Sequence, residues 1–321
     1  MKRILILLVT AFMLLSLTAC DGNEPISSIP TDGNQITVPA VKEGILTVLF
    51  TGGLDGVYAK NDTDGAVGYA ALAAFVDQLE DDGHAVVLID GGNSCSSENT
   101  DKFWKIVNAC SYDIRIPGAM ELSSGVDAFM NRAESLNNCS WISCNLVDLE
   151  SNTTVFDPYV LLDVGNVKVG FVGVTQPQAL VDTDLHRYGL IGQEGGQALR
   201  DVVQEAVDQA AKAGADSVVV VGNLGTALED TPWTTVEVIS GITGMDAWLD
   251  CGSGAVLDGD TVVDKDEFEI PLCAPGSGFK YIGRMELNLN DGTTNVKLLT
   301  ELEKEDRTVR KQIEDYDAEA Q

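Results

Sequence analysis

Apolar residues recur along this chain in two alternating patterns, namely short continuous runs and sets at helical spacing. The runs at 45–50 (ILTVLF), 85–90 (AVVLID) and 216–222 (DSVVVVG) are short and rich in β-branched residues, which is typical of buried strands. Residues 69–79 (YAALAAFVDQL) instead repeat apolar side chains every three or four positions, which predicts a helix. Strands that alternate with helices predict an α/β fold.

The same two patterns predict further elements along the rest of the chain. Gly165 and Asn166 interrupt a long apolar stretch, which predicts a β-hairpin over 159–174. Three more helices are predicted from apolar spacing over 103–110, 126–133 and 199–207. Further along, MDAWLD (245–250) is followed by β-rich pieces at 268–272 and 281–289, which predict more strands.

The C-terminal stretch, 301–321, reads as a charged helix with a narrow apolar stripe. Opposite charges at Glu303 and Arg307, and at Asp306 and Arg310, are four residues apart, a spacing that lets them pair on a helix.

The N-terminus has the layout of an export signal. Lys2 and Arg3 precede the apolar run ILILLVTAFMLLSLT, which ends at LTAC and resembles the cleavage site of bacterial lipoproteins. A membrane-spanning helix is the alternative, but the run is short for a span. We therefore expect a signal peptide over 1–19, a lipid on Cys20, and a flexible Pro/Gly/Ser-rich tether over 20–44. The lipid would hold the protein at the outer face of a bacterial membrane.

The net charge and the histidine and cysteine content limit the partners and the chemistry to be expected of this chain. The net charge is −30, with 50 acidic and 20 basic residues, so the chain repels phosphate backbones and nucleic acid is not an expected partner. Only two histidines occur, His84 and His186, and both lie in polar, loop-like stretches. Besides Cys20 the chain has six cysteines without a CxxC pair, so disulfides and buried free thiols both remain open.

In a sheet of this kind, sites lie in loops at the carboxyl ends of strands. The loops that follow the predicted strands and short apolar segments are rich in glycine and small polar residues. They are TGGLDG (51–56), DGGNSCS (90–96), GAMELSSG (118–125), GNLG (222–225) and DCGSG (250–254).

These loops, taken with VGYAALA, VGFVGVT and IGRMEL, resemble in order and spacing the motifs of the 5′-nucleotidase branch of the calcineurin-like metallophosphatases. The resemblance covers roughly residues 45–300. It implies a four-layer α-β-β-α sandwich with two mixed sheets. It also implies a reaction that needs two divalent metal ions to bind a phosphate and activate water. The longer members of the family carry a second, substrate-binding domain, and we expect this protein to lack it.

The family's ligand and catalytic positions carry different residues in this chain. Met120 stands where the catalytic histidine would be, and Asp55 is the one charged side chain at these positions. Glu121 keeps the family's residue, which is not a ligand. The positions matched to ligands or to the catalytic histidine are Gly53, Asp55, Asn93, Ala119, Met120, Asn223, Gly252 and Gly254.

These substitutions favour a degenerate domain that needs no metal cofactor and binds an unknown ligand or envelope protein. One alternative is an active phosphoester hydrolase in which Asp55, Asp90, Glu121 and Asp250 hold a single hard cation. Another is a thiol role, because Cys95 and Cys251 lie in two of the converging loops. Inert thiols or a structural disulfide would explain the same two cysteines.

Overall fold

The computed structural model describes residues 35–38, 44–96, 101–135, 139–226, 231, 233–252 and 254–320. The predicted signal peptide, the lipid-bearing Cys20 and most of the predicted tether lie outside these residues.

Sixteen strands and seven helices are present within this part of the chain. The strands are β1 (Gln35–Val38), β2 (Ile45–Thr51), β3 (Ala85–Asp90), β4 (Ile114–Arg115), β5 (Ser140–Trp141), β6 (Leu146–Asp148), β7 (Thr153–Thr154), β8 (Tyr159–Val164), β9 (Val167–Val174), β10 (Tyr188–Leu190), β11 (Ser217–Gly222), β12 (Ala247–Asp250), β13 (Val256–Val263), β14 (Glu269–Pro275), β15 (Ile282–Asn288) and β16 (Thr294–Leu299). The helices are α1 (Tyr69–Asp81), α2 (Asp101–Asn108), α3 (Ala119–Leu122), α4 (Val126–Ser135), α5 (Gly196–Lys212), α6 (Thr235–Ile239) and α7 (Arg307–Ala320).

One mixed sheet has six strands in the order β16-β15-β2-β3-β4-β5. Strands β2 to β5 run parallel to one another, whereas β15 pairs antiparallel with both β2 and β16. The strands predicted at 45–50 and 85–90 are β2 and β3, and they sit in the middle of this sheet. Every residue of β3 is buried, as its unbroken apolar run predicts.

The second mixed sheet has seven strands in the order β1-β8-β9-β11-β12-β14-β13. Strands β9, β11, β12 and β14 form a parallel run, and β8 and β9 form the antiparallel hairpin predicted around Gly165. The two-residue connection has Gly165 at φ +64°, a left-handed conformation that favours glycine.

Three hydrophobic clusters show that the two sheets and the helices form four layers. The inner faces of both sheets share one cluster, in which Val48 and Val87 of one sheet join Phe171 and Val219 of the other. Helices α1, α2, α4 and α7 pack in a second cluster on the six-stranded sheet. Helices α5 and α6 pack in a third on the seven-stranded sheet. The predicted α-β-β-α sandwich with two mixed sheets is confirmed.

Two parts of the fold differ from the sequence-based expectation. A third, small sheet joins β10, β6 and β7, strands of two or three residues that are too short to leave a periodic signal. Strand β1 (Gln35–Val38) lies inside the predicted tether but pairs in parallel with β8. The tether prediction was therefore too long at its C-terminal end, because the β-favouring residues of QITV outweigh the polar composition around them.

The C-terminal helix begins later than predicted. Asp306 Oδ1 accepts hydrogen bonds from the backbone N–H groups of Thr308 (2.9 Å) and Val309 (2.8 Å). Asp306 thereby caps the helix, which starts at Arg307. The predicted helical pair of Glu303 with Arg307 therefore does not exist on one helix, because Glu303 precedes the cap.

The predicted pair of Asp306 with Arg310 gives way to other ion pairs of Arg310. Arg310 lies 3.7 Å from carboxylate oxygens of Glu305 and Glu314, whereas Asp306 is engaged in capping. The predicted apolar stripe of α7 does pack inward, with Val309 and Ile313 buried against the helices of the six-stranded sheet.

Asp113 stabilises the start of β4 from a largely buried position. Its Oδ2 accepts the backbone N–H of Leu88 at 2.8 Å. Burial raises the pKa of Asp113 from 3.8 to about 6, and the negative charge of Glu80 adds to the rise while the Leu88 hydrogen bond opposes it. A carboxyl with a raised folded-state pKa contributes stability below its unfolded pKa and loses it as the pH rises through the folded value.

We therefore predict that Asp113→Asn flattens the pH dependence of stability. Between about pH 4 and 7 the unfolding free energy of the native chain should fall relative to the variant by roughly 1–3 kcal/mol, at 1.36 kcal/mol per pKa unit. Urea denaturation across this range measures the difference. Asp62→Asn, at a side chain that is 91% exposed, is the control. Equal pH dependence in the native chain and Asp113→Asn would contradict the prediction.

Candidate functional site

The glycine-rich loops meet at the carboxyl ends of the parallel strands. The first loop, after β2, donates the N–H groups of Gly53 and Asp55 to the carbonyl groups of Gly92 and Asn93 in the second loop, both at 2.9 Å. A Cβ added to Gly92 would lie 2.7 Å from the Ile116 carbonyl oxygen, just before the third loop. The glycines thus allow backbone to pack on backbone, and the predicted convergence of the loops is observed.

Glu121 holds the second and third loops together. Its carboxylate accepts the N–H groups of Asn93 (2.7 Å), Ser94 (2.9 Å) and Gly118 (2.9 Å), and it also receives the N–H and the thiol of Cys95, each at 3.3 Å. The side chain is only 5% exposed. Burial raises the pKa of Glu121 and the charge of Asp90 adds to the rise, whereas the N–H donors oppose it. Glu121 is therefore a structural carboxylate, consistent with its role outside the ligand set.

Asn93 and Asn223 use their amide groups on the surrounding backbone. Asn93 adopts φ +56°, and its Oδ1 accepts the N–H of Met120 at 3.1 Å. Asn223, 1% exposed, accepts the N–H of Gln176 at 2.6 Å and donates to the carbonyl groups of Gly91 (3.0 Å) and Pro117 (3.2 Å). Asn223 therefore joins the loops after β3, β4, β9 and β11 with a single side chain.

Asp250 fixes the fourth and fifth loops in the same way. Its carboxylate accepts the N–H groups of Gly252 (2.8 Å) and Gly225 (3.2 Å) and the hydroxyl of Thr235 (2.9 Å). Burial raises the pKa of Asp250, and these three donors oppose the rise. The oxygens of this carboxylate thus serve the loops themselves.

Asp90 is paired with a buried arginine that sequence reasoning missed. Its Oδ1 accepts the N–H of Gly92 (3.0 Å) and the hydroxyl of Ser94 (2.6 Å), and its Oδ2 lies 3.5 Å from Arg115 Nη1. Arg115 is 1% exposed, and its guanidinium lies 5.6 Å from the ring centre of Trp141. A lone arginine inside the apolar stretch DIRIPG was the available signal, because arginine is rarely fully buried unless paired.

Cys251 fills the space between the first two loops. The residue is fully buried, and a Cβ added to Gly52 or to Gly91 would collide with its side chain. A Cβ on Gly252 would likewise collide with the backbone of Gly225. The centre of the loop site is therefore packed with the thiol of Cys251 and the amide side chain of Asn223.

The remaining matched positions lie around this packed centre. Asp55 and Gly254 are exposed, and Ala119 and Met120 are half-buried at the start of α3. Gly53 is buried, at φ +59°, and a Cβ there would approach the Gly276 carbonyl oxygen at 3.3 Å. A Cβ built on Gly254 would have no atom within 4 Å, so this position does not pack against the other loops.

The donor atoms at these positions do not fit a pair of divalent ions. Gly53, Ala119, Gly252 and Gly254 have no side-chain donor, and the oxygens of Asn93 and Asn223 accept backbone hydrogen bonds. Among the described residues, no group of three or more His, Cys, Asp or Glu side chains is arranged to hold a metal ion.

Cys95 and Cys251 are separate buried thiols. Neither forms a disulfide. Burial raises the pKa of both thiols, and the adjacent charge of Glu121 raises that of Cys95 further. Since the thiolate is the reactive form, this environment is that of inert core cysteines. No thiol role is indicated.

Known proteins share this fold and part of this sequence. A 5′-nucleotidase of Vibrio cholerae is 26% identical over 171 residues, which is 50% of this chain and 30% of that protein. A 5′-nucleotidase precursor from Thermus thermophilus superposes with a TM-score of 0.66 at 17% identity, covering 86% of this chain and 59% of that one. The chain resembles the catalytic domain of the 5′-nucleotidases.

The calcineurin-like phosphoesterase YfkN from Bacillus subtilis has the same architecture, with a TM-score of 0.63 at 17% identity over 86% of this chain and 97% of that structure. No protein-family model matches the sequence. The matched segment spans 30% of the length of the Vibrio 5′-nucleotidase, so the activity of that whole protein does not transfer directly. In the described part of the chain, no helix has the length and apolarity to cross a bilayer.

We predict that Glu121→Gln destabilises the 5′-nucleotidase-like fold. The new amide N–H₂ would face backbone N–H donors in place of one acceptor oxygen, so we expect a loss of about 2–4 kcal/mol in unfolding free energy. Guanidinium denaturation measures this loss. Glu314→Gln, at a side chain 66% exposed, is the matched control and should change stability by less than about 0.5 kcal/mol. Equal effects of the two substitutions would contradict the structural role of Glu121.

Proposed function

We propose that this chain is a 5′-nucleotidase-like domain that has lost two-metal phosphoester chemistry and acts as a binding module. The observation that carries the proposal is the use of the loop side chains. Backbone N–H groups at this end of the sandwich donate hydrogen bonds to the side-chain oxygens of Glu121, Asn93, Asn223 and Asp250. Of the eight positions matched to ligands or to the catalytic histidine, four are glycine or alanine, and Asp55 is the one that carries a carboxylate.

The chemistry of the matched residues supports the same proposal. Two-metal hydrolysis needs a bridging carboxylate and imidazole or carboxylate ligands that generate a hydroxide. The amide of Asn93 is neutral and already bonded to Met120, and the thioether of Met120 does not transfer protons. The alternative cation site is also disfavoured, because Asp90, Glu121 and Asp250 are each bound to protein donors.

We predict that the purified protein hydrolyses neither AMP nor bis-(p-nitrophenyl) phosphate above background with added Mn²⁺ or Zn²⁺. Isothermal titration should find no stoichiometric metal binding, because the donors are absent or engaged. A metal-dependent activity in the native chain that Asp55→Asn abolishes would overturn the proposal. An active 5′-nucleotidase assayed in parallel serves as the positive control.

The sequence supports a second part of the proposal, that the domain is exported and held at the outer face of a bacterial membrane. A basic start, an apolar run and LTAC before position 21 are the features of a lipoprotein signal. The lipid on Cys20 would supply the membrane affinity, and the segment after it would connect lipid to domain.

We predict that Cys20→Ala moves the protein from the membrane fraction to the soluble or retained-precursor fraction. Metabolic labelling with an alkyne fatty acid should mark the native chain and not the variant. Cys273→Ala, at a buried core thiol, is the control and should keep the label. Equal labelling of Cys20→Ala and the native chain would exclude this anchor.

A further inference from the structure

The place of strand β1 in the sandwich limits how a lipid on Cys20 can hold the domain. In the part of the chain that the structure describes, β1 (Gln35–Val38) is one edge of the seven-stranded sheet and β13 is the other. Strand β1 pairs with β8 alone, over four residues. The chain that comes from Cys20 therefore reaches the sandwich at the β1 edge.

The length of chain between Cys20 and this edge sets an upper limit on their separation. Gln35 follows Cys20 by 15 residues. At about 3.3–3.6 Å per residue, a fully extended chain of this length reaches about 50 Å, and any other conformation reaches less. With a lipid on Cys20, Gln35 would lie within about 50 Å of the bilayer surface whatever path the chain takes.

The size of the domain makes this limit restrictive. A compact domain of roughly 280 residues has a radius of gyration of about 19 Å, which corresponds to a sphere about 24 Å in radius. If the β1 edge faced away from the bilayer, the chain would have to run around that sphere, over a path of about 60 Å. Fifteen residues do not span this path, so the β1 edge is not the one that lies farthest from the bilayer.

The directions of the strands then give the direction of the loop site. Six spacings of about 4.8 Å put β13 about 29 Å from β1, on the side that leads away from the bilayer. The strands run roughly at right angles to this direction. The carboxyl ends of the parallel strands β9, β11 and β12, where the loops meet, therefore point along the membrane surface.

We propose that the anchored domain stands with its β1 edge toward the bilayer and its β13 edge away from it, so that the loop site opens sideways. This orientation rests on the proposed lipid anchor. The ligand or partner of the loop site is then one that approaches along the membrane, and not a lipid headgroup beneath the domain. On an anionic bilayer the net charge of −30 acts in the same sense, because repulsion keeps the acidic surface away from the headgroups.

Energy transfer from three positions to the vesicle surface tests this orientation. The full-length lipoprotein is reconstituted into phosphatidylcholine vesicles with an acceptor dye on the headgroups. A donor dye is attached through p-azidophenylalanine, which leaves the native cysteines unchanged, at one exposed position at a time. Asn166 lies between β8 and β9, and Asp266 lies at the same end of the strands between β13 and β14. Ser277 follows β14 at the loop end.

The donor at Asn166 should be the nearest to the headgroups. Four strand spacings separate its hairpin from that of Asp266, so its apparent distance should be shorter by roughly 15–20 Å. Asp266 and Ser277 should give distances that agree within about 5 Å, because the strand between them runs along the membrane. A lipoprotein with about 30 Gly and Ser residues inserted after Asp21 is the matched control. Its chain is long enough to pass around the domain, so the differences among the three positions should shrink.

Two results would overturn the orientation and leave the anchor in place. One is a donor at Asp266 that lies as near to the headgroups as the donor at Asn166. The other is a donor at Ser277 that lies much nearer than the donor at Asp266, which would mean that the loop site faces the bilayer. A native chain that does not float with the vesicles would contradict the lipid anchor itself, and the orientation with it.

Discussion

The buried carboxylate of Glu121 is the interaction on which the arrangement of the loops depends. Removing a carboxylate from water costs of order several kcal/mol unless hydrogen bonds replace the lost hydration. Three backbone N–H groups at 2.7–2.9 Å supply those bonds, and they come from the second and third loops at once. The charge therefore fixes the positions of both loops, and the first loop follows because it bonds to the carbonyl groups of the second.

Other buried polar side chains also join loops by hydrogen bonds to their backbone, across the whole end of the sandwich. Asn223 and Asp250 each bind backbone groups from more than one loop, so polar side chains of the protein perform the cross-linking. Such a network is stable only when each buried member is satisfied, and it leaves few acceptor atoms for an external ligand. Cys251 completes the packing, and Gly52 and Gly91 are needed because any larger residue would collide with it. The loops are thus held in place by the protein's own side chains, without a metal-ligand set at the matched positions.

The main strands were predictable because local patterns encode them, whereas the four layers were expected from the family resemblance. The fully buried strand β3 and the hairpin at Gly165 follow from the apolar run and the turn residues that encode them. The start of α7 was not predictable from charge spacing, because Asp306 has two possible roles and the capping bonds decide between them. At the site, the convergence of the loops was predicted, but the filling of its centre by Cys251 depends on long-range packing that no local pattern encodes. Arg115 was missed for the same reason, since its partners lie 25 and 26 residues away in sequence.

Arg115 also connects the loop site to the edge of the six-stranded sheet. Its guanidinium lies 3.5 Å from Asp90, which accepts hydrogen bonds from the second loop, and 5.6 Å from the ring centre of Trp141 in the edge strand β5. A buried arginine with both neighbours in place holds the Trp141 ring in one orientation, because rotating the ring would remove a favourable contact from a buried charge. A preorganised set of loops does not by itself supply chemistry, because function resides in the side chains of a site rather than in the fold that presents them.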